Sequence, residues 1–90
     1  MQPTAIVRVE VDGEIEEFTV RGDLIVKRRR RLYLAEIKGG PDVSRIGHRG
    51  TRRQLLEYAC AFDVHGVLLV DTHRDVVQKV RFPALYSRHA

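Results

Sequence analysis

One stretch of this 90-residue chain repeats its apolar side chains with the period of a helix, and the rest of the fold has to be built around it. Leu55, Tyr58, Ala59 and Phe62 stand at i, i+3, i+4 and i+7, which makes a single apolar stripe. Thr51 suits the N-cap, and Gln54 follows three residues later as in a capping box. The spacing predicts a helix over residues 51–62.

Strand signals flank this helix. Ala5, Val7, Val9 and Val11 alternate with Ile6, Arg8 and Glu10, so one face of the first strand is apolar. Asp12-Gly13 is a two-residue hairpin turn, and a second strand follows over 14–21. Its alternation slips between Ile15 and Phe18, which predicts a bulge near Glu16-Glu17. Asp23-Leu24-Ile25-Val26 reads as a third strand, Arg28-Arg29-Arg30 as a turn, and residues 32–38 as a fourth strand ended by Gly39-Gly40-Pro41. Residues 41–50 read as a loop. Gly66-Val67-Leu68-Leu69-Val70 is apolar without alternation, as in a strand buried on both faces. Residues 76–82 form a last strand closed by Pro83, with a loosely held tail beyond. The order gives an α/β fold, a mixed sheet of about six strands with one main helix, as a single minimal domain over 1–90.

Hydrophobic residues are 43% and charged residues 31% of the chain, a globular balance that argues against a disordered chain. A chain this short buries a small fraction of its surface, so self-association is expected. Met1-Gln2-Pro3-Thr4 opens no signal peptide, and no stretch is apolar enough for a membrane span. The lone Cys60 cannot form an intrachain disulfide, which fits a reducing, cytoplasmic setting.

The formal net charge of +4 is unevenly placed. Basic residues run from Lys27 to Arg31 and recur at Arg45, Arg49, Arg52 and Arg53, while Glu10, Asp12, Glu14, Glu16 and Glu17 cluster near the start. Arginine forks suit phosphate, so the basic runs fit a polyanionic partner; a solvated charged surface fits them equally. Arg52 and Arg53 open the helix, where amide groups also favour phosphate.

The chemistry concentrates at Glu36-Ile37-Lys38. Side chains alternate along a strand, so Glu36 and Lys38 share a face where the fourth strand opens into a glycine loop. If strands three and four form a hairpin, Asp23 lies across from Glu36. Two carboxylates would then converge with an amine beside them. Such a set, with the backbone carbonyl of Ile37, suits Mg²⁺ or Mn²⁺ and phosphodiester hydrolysis. The structural alternatives are a turn residue at Asp23 and a surface ion pair at Glu36 and Lys38. Gln54 and Tyr58 share one helical face; capping and core packing would also account for them.

Asp23, the short strand and turn after it, and Leu32-Tyr33-Leu34-Ala35-Glu36-Ile37-Lys38 resemble the core of the PD-(D/E)xK nucleases. Gln54-Leu55-Leu56-Glu57-Tyr58 resembles the QxxxY motif of the RecB-like branch. The resemblance covers residues 23–71 and implies a restriction-endonuclease-like core. It implies a metal-dependent deoxyribonuclease, with Asp23, Glu36 and the Ile37 carbonyl as metal ligands and Lys38 as catalytic lysine. Gln54 and Tyr58 would support the site or touch DNA. Arg28, Arg29, Arg30, Arg49, Arg52 and Arg53 are the candidates for nucleic-acid contact. Gly22 stands where the family name has proline, and the helix that usually precedes the first strand is missing. The resemblance therefore points to a second copy or partner subunit covering the sheet, or to a non-catalytic nucleic-acid-binding or oligomer-forming module.

Overall fold

The computed structural model describes residues 2–87. Its elements are β1 (Thr4–Val11), β2 (Glu14–Arg21), β3 (Leu24–Arg28), β4 (Arg31–Lys38), α1 (Arg49–Ala61), β5 (Gly66–Asp71), β6 (Val76–Val80) and α2 (Pro83–Ser87). The fold is mixed α/β with six strands and one main helix, as the sequence pattern predicts.

The strands divide into two sheets. β1 and β2 form a separate antiparallel ribbon, and the second sheet has the order β3-β4-β5-β6. Within it only β4 and β5 run parallel. A parallel pair needs a crossover, which residues 39–48 and α1 provide.

Two tight hairpin turns set the registers. Asp12 and Gly13 have φ values of 51° and 86°, the mirror-image turn whose twist matches its strands. Arg29 and Arg30 adopt φ values of 51° and 68° without glycine's freedom, a conformation L-residues resist. The expected bulge in β2 is absent: pairing runs unbroken from Thr4 opposite Arg21 to Val11 opposite Glu14. The slip in pattern has another cause. Ile15 and Phe18 lie on opposite faces of a ribbon whose distal half is open to solvent on both sides, so neither face has to be polar.

The helix begins two residues before the expected start. His48 is the N-cap, its Nδ1 accepting from the amide of Thr51 at 3.1 Å. Thr51 is therefore inside the helix, donating its hydroxyl to the carbonyl of Val43 at 2.6 Å, and no Thr51–Gln54 capping box forms. β3 extends to Arg28, and residues 83–87 form a short helix where a loose tail was expected.

Leu34, Val67 and Leu69 point from the sheet toward Leu55 and Tyr58 of α1, with Val20 of the ribbon closing the core. Gly22 is required by this packing: a Cβ there would lie 2.6 Å from Leu34 Cδ1, and Leu34 is fully buried. β5 lies between β4 and β6, but its second face is only half covered at Leu68 and Val70, not buried as expected. Among the described residues no helix is long and apolar enough to cross a membrane.

Candidate active site

The β3–β4 register pairs Leu24 with Ala35, so the residue before β3 faces the residue after Ala35. Asp23 thus reaches the end of β4, where its Oδ2 accepts from the amide of Ile37 at 2.8 Å. Its carboxyl lies close enough to Glu36 for a direct interaction between the two acids. Lys38 Nζ stands 3.4 Å from Glu36 Oε2. The three residues singled out in the sequence converge on one side of the strand ends.

Glu36 is the unusual member. It is only 3% exposed, and its Oε1 is buried with no hydrogen-bond partner. Burial raises its pKa above the ordinary carboxylate value, Asp23's charge adds to the rise, and Lys38 pulls the other way. A buried carboxylate with an unpartnered oxygen, beside a second carboxylate, is a costly arrangement for protein groups alone.

Gln54 and Tyr58 join this cluster. Gln54 Nε2 donates to the Tyr58 hydroxyl at 2.7 Å, the i, i+4 contact their spacing allows. Tyr58 donates its one proton to the carbonyl of Arg21 at 2.9 Å, while Glu36 Oε2 lies 3.4 Å away, a longer and weaker contact. Burial, followed by the charge on Glu36, pushes the Tyr58 pKa up to about 12, so the phenol stays neutral. Gln54 is free to make this contact because His48, not Thr51, caps the helix.

The basic residues separate into two groups. Arg49 and Arg53 lie within about 8 Å of Gln54 along the axis of α1. Arg52 has its guanidinium on the carbonyls of Ile46 and Gly47, at 3.3 and 3.2 Å, which fixes the loop before the helix. Arg28, Arg29 and Arg30 sit at the far end of the β3–β4 hairpin. Five strand steps, about 16 Å, separate Arg28 from Asp23. Arg28 and Arg29 line a different cavity, on the sheet face away from α1.

A clamp that sequence reasoning passed over fixes the neighbouring strand end. Arg74 donates to Asp71 Oδ2 at 2.9 Å, to Ser44 Oγ at 3.1 Å and to the Pro41 carbonyl at 2.8 Å. Burial works against the charge on Asp71, but the hydrogen bonds from Arg74 and Ser44 outweigh it and hold the pKa down to about 2. Asp71 pairs in register with Lys38, so the clamp ties loop 41–48 to the strand end bearing the lysine. The i, i+3 spacing of Asp71 and Arg74 was the one local signal for it.

No family model matches the sequence, and no curated protein matches it. A solved structure described as "Crystal structure of SSO0001" matches over 94% of this chain with a TM-score of 0.67 and 19% identity. This chain covers 44% of that one, and the likeness shows a shared fold.

The donor set fits a divalent cation. Asp23, Glu36 and the Ile37 carbonyl would supply hard oxygen ligands, and the unpartnered Glu36 Oε1 is the kind of atom a cation would satisfy. Among the described residues no third His, Cys, Asp or Glu joins the two acids, so water or phosphate oxygens would complete the shell.

Proposed function

We propose that this protein is a divalent-metal-dependent nuclease that hydrolyses phosphodiester bonds in DNA, with Mg²⁺ or Mn²⁺ held by Asp23, Glu36 and the Ile37 carbonyl. The single observation behind this reading is the meeting of the Asp23 and Glu36 carboxyls, with Lys38 3.4 Å from Glu36 and Glu36 Oε1 buried without a partner. When bound, the cation would polarise a phosphate oxygen and make water a stronger nucleophile. Lys38 would orient the attacking water and balance the negative charge that builds on the phosphate. Tyr58, kept neutral, and Gln54 tie α1 to the Arg21 carbonyl beside Glu36. Of the arginines singled out in the sequence, Arg49 and Arg53 share α1 with Gln54 and would hold flanking phosphates. A cytoplasmic setting, inferred from the lone Cys60, belongs to this reading.

The test is incubation of the purified protein with single- and double-stranded DNA in Mn²⁺ or Mg²⁺. Metal-dependent cleavage that Lys38→Ala abolishes supports the reading. No cleavage, or cleavage unaffected by Lys38→Ala, refutes it.

One observation favours a second reading, a nuclease-like module that binds nucleic acid without cutting. Only two acidic side chains converge among the described residues. Salt-sensitive DNA binding without hydrolysis in any metal would select it.

A further inference from the structure

Two exposed patches of opposite charge lie on different sheets of the molecule. The first is on the four-stranded sheet, on the face away from α1. There Val26, Leu68 and Val77 floor a cavity of about 940 Å³, rimmed by Arg28, Arg31 and Lys79. Val77 is 62% exposed, so the apolar floor is open. Lys79 reaches over the ring of Tyr33 at 5.3 Å, and none of these rim cations has a carboxylate partner among the described residues.

The second patch is on the β1–β2 ribbon. Its base packs through Val7 and Val20 on α1, and its distal half projects beyond the core. The register places Val9, Val11 and Phe18 on one face with Glu14 and Glu16. Phe18 is 53% exposed. On the other face Arg8 neutralises Glu17 at 2.6 Å, but Glu14 and Glu16 have no ion-pair partner among the described residues.

From this complementarity we infer that the ribbon of one copy docks on the open sheet face of a second copy of this chain. Val9, Val11 and Phe18 cover the apolar floor, and Glu14 and Glu16 meet Arg31 and Lys79. The contact cannot form within one copy, because the ribbon base packs through Val7 and Val20 on the sheet face that carries α1, and the open cavity lies on the other face. Each copy carries both patches, so two copies close around a two-fold axis with each ribbon on the other's sheet. An apolar centre with a charged rim is how stable interfaces are built, and opposite potentials choose the partner. The inference does not depend on the nuclease reading.

Sedimentation of the full chain over a range of concentration and salt tests it with a charge swap. The wild-type protein sediments as a dimer at low salt and dissociates as salt rises. Glu14→Arg with Glu16→Arg, and separately Arg31→Glu with Lys79→Glu, each weaken association by roughly a hundredfold. Far-UV circular dichroism confirms that both variants fold. Mixing the two variants restores the dimer, because the reversed ribbon now matches the reversed face. A monomeric wild type, a dimer indifferent to both reversals, or folded variants that do not associate on mixing would overturn the proposal. A monomeric wild type whose DNA binding is lost in Arg31→Glu with Lys79→Glu would assign the face to nucleic acid instead.

Discussion

The carboxylate of Asp23 accepts a 2.8 Å hydrogen bond from the amide of Ile37, a residue fourteen positions later. That bond locks the entry of β3 to the exit of β4 and delivers one acid to the side of another. Glu36, next along the strand, is thereby left buried, crowded by like charge and short of one partner.

Glu36→Gln is therefore expected to stabilise the protein in the absence of metal at neutral pH. The sign follows from the raised pKa. Stability from the protonated form is fully present below the ordinary glutamate range and is lost as pH rises through the higher folded value. Above that value the wild type carries the unfavourable charge and the glutamine variant does not. Divalent cation should reverse the order, stabilising the wild type by about 2.7 kcal/mol at a hundredfold excess over Kd and leaving Glu36→Gln unchanged. Thermal melts at several pH values, with and without Mn²⁺, read both effects.

Tyr58→Phe removes the hydroxyl shared by Gln54 and the Arg21 carbonyl. The expected loss is about 1 kcal/mol, a net hydrogen bond's worth, seen as a drop of roughly 4–8 °C in Tm. If Tyr58 also steadies Glu36, metal affinity falls with it, which calorimetric titration of Mn²⁺ measures.

The Arg29-Arg30 turn adopts a backbone that suits asparagine and glycine. Replacing it, Arg29→Asn with Arg30→Gly, is expected to stabilise the fold by about 1–2 kcal/mol through relief of left-handed strain. DNA cleavage should be unaffected by this pair if the turn lies as far from the reaction centre as the strand length indicates. Denaturant midpoints and cleavage rates on the same preparations check the two halves.

Asp71 supplies the acid limit. Its pKa is depressed to about 2, so its contribution is present above the ordinary aspartate range, near pH 4, and disappears as pH falls toward 2. Asp71→Asn should lower stability at neutral pH and flatten the loss between about pH 4 and pH 2. Loop 41–48, held by an Arg74 that Asp71 no longer anchors, should exchange its amide hydrogens faster.

The parts of the fold legible in the sequence are those set by neighbours along the chain. Asp12-Gly13 announced one hairpin, the stripe from Leu55 to Phe62 announced α1, and the short β3–β4 hairpin was enough to bring Asp23 toward Glu36. Gln54 and Tyr58 were legible as a pair because four residues make one helical turn. What was not legible depended on distant segments. The detachment of β1 and β2 turns on which strand β3 prefers, and local pattern says nothing about that. His48 displaced Thr51 as the cap because Val43, eight residues earlier, captured the threonine hydroxyl. The Arg74 clamp joins residues thirty and more positions apart, and the remoteness of Arg28 from the acids appears only once β3 is extended.

The most direct measurement is a crystal structure of the protein soaked in Mn²⁺, with the ion located by its anomalous scattering. One peak is expected, about 2.0–2.3 Å from carboxylate oxygens of both Asp23 and Glu36. A fully soaked crystal with no peak there, or with an ion touching only one of the two, would contradict it.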